Sequence, residues 1–521
     1  MEWSSLQQAR SQNEDATELG KEAVSEIARS YVESLTHGLV RSSIQAQGET
    51  AAAHEEAEYS LTDRNHLQNF LVEANIRPVR LEYLFKLADC GRIWPRRQEA
   101  EGEEFEDEDG TMRTALVTME ELQDPKIARF EVNPAILSVS HVWESQQHPD
   151  PWGWQLRSLL GFVESNFGSR EKLKFFAEHV RVHYWVFIDF VCLHQYKRSE
   201  EEQQFFGRAM RSMHLLYAHR HIGHVIRLEE LTPESEKSLE GSIDMYCEAT
   251  GKFEARPLSD LVLNSTPYSE RGWCVAEVQW MSTKDEVFGC SPMPPAVFQE
   301  RVARGEQGLA NGLRLKFTHR SDAKLVSRLQ EDVFLQHARQ RKRLDAMSLP
   351  QCEVSILAAA LPHFVNLELL TISSDEEDFG HSILELAHGL ERLCPQKLRV
   401  LQVMGDGITD ADAAALATAA ISCKELSKLG IQSDIIGDAG AEALAAAVLD
   451  CEKLTEFALD GCYRIADTGV AALAAASFAA PRVKFAMGGH VSQLANRLHH
   501  KWGNRTCGVN WDCPPGFARF V

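Results

Sequence analysis

The spacing of apolar positions changes character along the chain. Up to about residue 90 they recur at three and four: Leu67, Phe70, Leu71 and Ala74, then Leu81, Leu84, Phe85 and Ala88. This predicts two amphipathic helices flanking Arg77-Pro78 within a helical N-terminal region. From Pro134 strand and helix patterns alternate. Ala135 to Val142 is a short apolar run, and Leu156, Leu159, Leu160 and Val163 mark a helix face. Leu173, Phe176, Ala177 and Val180 mark another, with Ser169 as its cap. Tyr184 to Leu193, YWVFIDFVCL, is nearly continuous in aromatic and β-branched residues, as for a strand buried on both faces of a parallel sheet. Ser199-Glu200-Glu201-Glu202 has capping-box form ahead of a helix marked by Phe206, Met210, Met213 and Tyr217, and Val225 to Leu228 is the next strand. The succession implies a doubly wound α/β sheet, whose ligands lie outside the carboxyl ends of its strands.

Further on the pattern repeats. KLRVLQV, ELSKLGI and KLTEFAL carry an LxxLxL form starting at Leu398, Leu426 and Leu454, a period of 28. ITDADAAALATAA, IGDAGAEALAAAV and IADTGVAALAAAS follow from Ile408, Ile436 and Ile465, so each unit is a strand, a turn and an alanine-rich helix. Cys423 and Cys451 stand three residues before their leucines, which makes them repeat-core positions and not metal ligands. The pattern resembles the leucine-rich repeat of the ribonuclease-inhibitor type over about Leu361 to Met487, with a degenerate first unit at Leu367. That resemblance implies a short α/β solenoid whose exposed strand face binds a protein partner.

Composition narrows the function classes. A chain of 521 residues with 44% hydrophobic and 25% charged residues suits about three soluble domains. The expected segments are 1–110, helical with an acidic linker; 111–345, α/β; 346–490, repeats; and 491–521, a capping tail. Net charge is −22, which argues against nucleic acid or anionic membrane as the main partner. No apolar run approaches the ~20 residues of a membrane span, and MEWSSLQQARSQNED lacks a signal-peptide pattern, so a cytoplasmic location is expected. The twelve cysteines lack CxxC pairs, as for reduced thiols. Glu99 to Asp109 carries eight acids and no base, which reads as a flexible linker or the tip of a hairpin. His499, His500, Cys507 and Cys513 have spacing too wide for a zinc knuckle, and a cap built on Trp502 and Trp511 is the preferred reading. His214, His219, His221 and His224 read as helix-end and surface residues. No cofactor motif of the Walker A or GxGxxG kind occurs.

One stretch carries chemistry. In YSERGWCVAEVQW, Tyr268 to Trp280, a helix capped at Thr266-Pro267 puts Trp273, Ala276, Glu277 and Trp280 on one face. A carboxylate between two indoles needs a hydrogen-bonding partner, an ion pair with Arg271 or another base, or a ligand. Asp189, interrupting its apolar strand, is either satisfied by backbone or placed at a functional edge.

LSVSHVWES at Leu137 to Ser145, VFIDFVCLHQ at Val186 to Gln195 and YSERGWCVAE at Tyr268 to Glu277 resemble, in order and spacing, the three blocks of the heterokaryon-incompatibility (HET) domain. That family in turn resembles Toll/interleukin receptor (TIR) domains, which share a WCxxE segment. The chain departs from the usual pattern with His141 in place of tyrosine, and with Phe190-Val191 where a small residue is common. The resemblance implies a defence or signalling protein in which Glu277 is the catalytic carboxylate for cleaving the nicotinamide–ribose bond of NAD. NAD is then substrate and not resident cofactor. Ser140, His141, Trp143, Asp189 and Trp273 are the implied binding positions, and self-association of the domain is implied as well. The rival expectation is a non-enzymatic scaffold in which Glu277 closes a structural network and the repeats carry all recognition.

Overall fold

The computed structural model describes residues 59–488 apart from 108–109, 129–133, 176–182, 248, 283, 285, 308–313, 375–379 and 394–396, together with Val491. The tail with His499 to Cys513, and Phe176, Ala177 and Val180, lie outside the described residues. The chain forms two compact units, Ala57–Lys284 with Leu315–Phe334, and Asp285–Arg314 with the chain from Leu335.

The first unit carries β1 (Val79–Arg80), β2 (Glu104–Glu106), β3 (Met112–Thr114), β4 (Ala135–His141), β5 (Tyr184–Phe187), β6 (Ile222–Leu228), β7 (Ser242–Cys247) and β8 (Lys252–Pro257). Its main sheet has the order β1-β5-β4-β6. β4 pairs in parallel with both β5 and β6, and β1 adds an antiparallel edge. The chain therefore steps from β4 to β5 on one side, then crosses to β6 on the other, and the winding reverses at β4.

Side chains of β4 alternate between two helical layers. Ser138 donates to the Leu216 carbonyl on one face, where Ser140 also meets the Gly272–Met281 helix. His141 turns to the other face and meets Gln155 of the Trp154–Phe167 helix. From Ile136 to His141 every residue of the strand is buried, and its polar members survive there because each finds a partner.

Three local expectations are corrected. The strand from Tyr184 ends at Phe187 because Asp189 Oδ1 accepts the Phe190 N–H at 2.6 Å, drawing the backbone into a helical turn, Asp189–Cys192. Thr266-Pro267 opens a 3₁₀ turn, Tyr268–Glu270, and the α-helix starts only at Gly272. There the backbone pairs with Lys316, and a Cβ would lie 2.1 Å from the Phe317 ring. The acidic block is no loose linker and follows the alternative reading of a hairpin: β2 and β3 pair antiparallel, with Phe105 buried beneath them. Glu101 pairs with Arg77 at 2.8 Å, Glu103 with Arg92 at 2.6 Å, and Asp107 with Arg113 at 2.9 Å. The capping box at Ser199 and Glu202 forms as expected. Helices Arg64–Glu73 and Leu81–Asp89 do flank Pro78. They belong to the α/β unit and not to a separate region ending at 110, because β1 between them joins the sheet.

The second unit is a seven-stranded parallel sheet of β9 (Glu286–Phe288), β10 (Arg343–Met347), β11 (Leu369–Ser374), β12 (Val400–Gly405), β13 (Lys428–Gln432), β14 (Glu456–Asp460) and β15 (Lys484–Met487), in chain order across the sheet. It begins at Glu286, well before residue 346, since β9 pairs with β10. Leu344, Leu370, Leu401, Leu429, Phe457 and Phe485 stand in one register, and Ala346, Ile372, Val403, Ile431, Leu459 and Met487 in a second. Both rows are buried. Helices Asp410–Ser422, Asp438–Asp450 and Asp467–Ala479 follow β12, β13 and β14 and pack on one another in sequence.

The starts of these helices are linked across units. Thr409 caps its own helix through a box with Asp412, whereas Gly437 and Ala466, at the equivalent positions, have no capping side chain. Asp410 Oδ1 instead accepts the N–H groups of Gly437 and Gly440 at 2.6 and 3.1 Å, and Asp438 Oδ1 those of Ala466 and Gly469 at 2.7 and 2.9 Å. The aspartate thus supplies both the cap and the negative charge that a helix N-terminus favours. A Cβ at Gly440 or Gly469 would come within 2.7 Å of the carboxylate oxygen. Cys423 is disulfide-bonded, unlike the reduced state expected. Among the described residues no helix is long and apolar enough to cross a membrane.

Leu429→Ala and Leu444→Ala each empty a position that is almost completely buried. Each should cost roughly 2–5 kcal/mol in denaturant unfolding followed by circular dichroism. A variant that unfolds with its parent would show that its side chain does not pack as described. Deleting Glu101–Asp109, which removes the partners of Arg77 and Arg92 and the buried Phe105, should lower the melting temperature clearly; an unchanged melt would make these contacts dispensable.

Candidate functional site

Beyond the carboxyl end of β4, four segments converge. The Gly272–Met281 helix brings Glu277, whose Oε2 accepts from the Ser140 hydroxyl at 2.5 Å. The Tyr268 hydroxyl lies 2.6 Å from the same Ser140 oxygen, and Tyr217 donates to the Glu277 carboxyl from the turn Leu215–Ala218. Arg271, the expected ionic partner, is committed elsewhere. Its three nitrogens donate to the carbonyls of Thr266, Trp143 and Asn264 at 2.7, 2.8 and 3.2 Å. Arg271 therefore ties down the loop that frames the site and leaves the carboxyl to neutral hydroxyl donors.

Burial pushes the Glu277 pKa up to about 8, assisted by the charge of Asp189; the hydrogen bonds from Ser140 and Tyr217 and the His141 charge act the other way and are outweighed. Tyr217 and Tyr268 are held well above the ordinary phenol range by burial, with the Glu277 charge adding to it, and so remain donors. The Cys274 thiol on the same helix is likewise pushed up by burial and is no thiolate.

Next to this group lies an ion pair. His141 Nε2 approaches Asp189 Oδ1 at 2.8 Å, and Trp143 Nε1 donates to Asp189 Oδ2 at 3.0 Å. Burial alone would depress the His141 pKa, but the charge and hydrogen bond of Asp189 override it and raise it. Burial would raise the Asp189 pKa, and His141, Trp143 and the Phe190 N–H together bring it down. His148, pushed down to about 4 by burial, accepts the Asp150 N–H at Nδ1 and donates from Nε2 to the Trp94 carbonyl. Ser140 and His141 are buried, whereas Glu277 and Trp143 are half-buried and the Asp189 side chain is 32% exposed. Glu277, Asp189 and Trp143 thus keep partial exposure while Ser140 and His141 do not.

Five of the six residues selected from the sequence meet here: Glu277, Ser140, His141, Trp143 and Asp189. Trp273 is held apart, its Nε1 donating to Asp322 at 3.1 Å and its ring packing edge-on to Trp280 at 6.3 Å. Three participants went unassigned. Tyr268 opens the quoted block YSERGWCVAE, and Tyr217 reads as part of an apolar helix stripe. Gln155 gave no signal beyond being a polar residue on an apolar helix face. His214 and His219 stand at the two ends of the turn Leu215–Ala218, as helix-end residues, but His219 is buried and His214 half-buried, and burial pushes both pKa values down to about 4. Among the described residues no group of three or more His, Cys, Asp or Glu side chains is placed to hold a metal ion. A cavity of about 320 Å³ opens elsewhere in the unit, around Phe85, Phe105 and Tyr184, and none of the selected residues lines it. Compared with known proteins, the chain matches no protein-family model and no curated protein.

With its folded pKa raised from 4.5 to about 8, Glu277 contributes stability fully present below the lower value and lost as pH rises through the upper one. Glu277→Gln should therefore fold. Its melting temperature relative to the parent should climb between about pH 5 and pH 8.5. Parallel melting curves across that range would mean that the carboxyl ionises as freely in the folded protein as in the unfolded chain.

Proposed function

We propose that the first unit is a HET/TIR-like catalytic domain that hydrolyses the nicotinamide–ribose bond of NAD, and that the second is a leucine-rich-repeat module that binds a protein partner. The observation that carries this reading is the Glu277 carboxyl: partly open to solvent, without a cationic partner in its hydrogen-bond shell, and placed where the winding reverses at β4. A carboxyl so placed ionises when positive charge arrives. The pyridinium ring of NAD would favour loss of its proton, and the resulting carboxylate would stabilise the oxocarbenium-like ribosyl transition state. The C–N bond breaks with its electron pair leaving on neutral nicotinamide, water adds to the ribosyl carbon, and one proton is released. The half-buried Trp143 ring offers an aromatic wall for the substrate.

A protein-binding role for the repeats is supported by the middle outward position of their strands, which is small or polar in one register: Gln402, Gly430, Ala458 and Ala486. A net charge of −22 favours a protein partner over nucleic acid. Self-association of the α/β domain and a cytoplasmic setting belong to the same proposal. A non-enzymatic scaffold is the second reading, favoured by the hydroxyls of Ser140 and Tyr217, which already satisfy the carboxyl from within the protein.

Purified protein at high concentration should release nicotinamide from NAD, with kcat/KM rising with pH through about 8 as Glu277 ionises. Glu277→Gln should reduce turnover by roughly two orders of magnitude or more while leaving the protein folded. Absence of nicotinamide release by the parent in any assembled state, or full activity in the variant, would exclude Glu277 from this chemistry.

A further inference from the structure

Gln155 fixes more than the orientation of its neighbour. Its amide nitrogen donates to the carbonyls of Val142 and Pro149 at 2.7 and 3.0 Å, with Glu144 Oε1 a further acceptor at 3.4 Å. Turning the amide over would set its oxygen against all three acceptors, so the amide has one admissible orientation. Its Oε1 then faces His141 Nδ1 at 3.0 Å, where an amide oxygen can only accept, so Nδ1 carries a hydrogen. The Val142 carbonyl, 3.3 Å from the same nitrogen, imposes the same requirement.

The other ring nitrogen is constrained independently. Nε2 faces Asp189 Oδ1, which also accepts the Phe190 peptide N–H at 2.6 Å, while Oδ2 accepts the Trp143 indole N–H, a donor that cannot reverse. Two donors besides the imidazole hold Asp189 as the anion, so Nε2 also carries a hydrogen. Other groups around the ring do not disturb the count. Glu277 favours the cation electrostatically, Asp150 lies near enough to be coupled to it, His148 is a neutral neighbour, and Trp94 presents a ring 5.2 Å away edge-on.

We propose that Gln155 is a positioning residue that holds His141 as a permanent imidazolium locked to Asp189, so that the pair supplies fixed charge beside Glu277 and exchanges no proton during turnover. The protonation state of His141 follows from the hydrogen bonds alone; its effect on Glu277 rests on the proposed NAD cleavage. It assigns electrostatic and positioning roles, and no acid–base role, to both members of the pair. Asp189 serves as the counter-ion of the imidazolium, with two donors on Oδ1 and one on Oδ2.

The full chain labelled with ¹⁵N-histidine tests this by long-range ¹H–¹⁵N spectra between about pH 6 and pH 9, the range in which an ordinary histidine completes its titration. One imidazole should show both nitrogens protonated throughout, and that signal should vanish in His141→Gln. A His141 ring that becomes a neutral tautomer within the range overturns the proposal. Gln155→Met, which removes the acceptor at similar length, should let His141 lose its Nδ1 proton at neutral pH; if it stays doubly protonated, Gln155 is not what holds it. Should that variant not fold, the parent spectrum still decides. In an active parent, Gln155→Met should also move the pH dependence of kcat/KM to higher pH with little change in KM. An unmoved profile would refute the link to Glu277, and an inactive parent with a doubly protonated His141 would refute NAD cleavage while leaving the His141 assignment standing.

Discussion

The first unit is organised around a carboxyl group taken out of water without a cation to meet it. Partial burial of Glu277 beyond β4 raises the free energy of its charged form, and the obvious remedy, Arg271 six residues earlier, is spent on three backbone carbonyls. The surrounding residues make sense as a response. Ser140, Tyr217 and Tyr268 supply hydroxyls that can serve either protonation state, which a fixed ammonium or guanidinium could not do. Positive charge is present nearby, on His141, but it is balanced by Asp189 and so moderates the Glu277 equilibrium without abolishing it.

Much of this is legible in the sequence. The 28-residue period located β12 to β14 and their helices, because repeated burial in one register forces repeated side chains. Glu277 stood out because a carboxylate at an apolar position requires an explanation. What escaped were interactions that depend on distant chain segments meeting. The acids from Glu101 to Asp107 could be counted, but Arg77, Arg92 and Arg113 could not be placed opposite them. Gln155 is fourteen positions from His141, on a different element, and its local pattern shows only a polar residue on an apolar helix face. Boundaries failed where a side chain redirected its own backbone, as at Asp189, or where a remote ring required a glycine, as Phe317 does at Gly272.

β4 shows how a strand buried on both faces can carry polar chemistry. Its serines and its histidine point to opposite helical layers, so the hydroxyl–carboxyl group and the imidazole–carboxylate pair are separated by the sheet yet connected through adjacent residues, Ser140 and His141. The Trp143 carbonyl then anchors Arg271 on the far segment, which couples the strand end to the helix that bears Glu277. Precision at the site is thereby borrowed from the most rigid part of the unit.

The aspartates that cap the repeat helices give the second unit a direction. Asp410 completes the helix that starts at Asp438, and Asp438 completes the one that starts at Asp467; each link runs from the earlier unit to the later. A unit therefore receives its helix start from its predecessor, whereas the contact returned by a later unit, the Gly407 N–H to Asp434 Oδ1 at 3.3 Å, meets only the turn ahead of the helix. Order can propagate toward higher residue numbers more readily than the reverse, and a lesion at one link exposes the downstream helix while sparing the upstream one. Stacked repeats are usually described by symmetrical nearest-neighbour contacts, but this array is also polar, like a row of clasps that all fasten the same way.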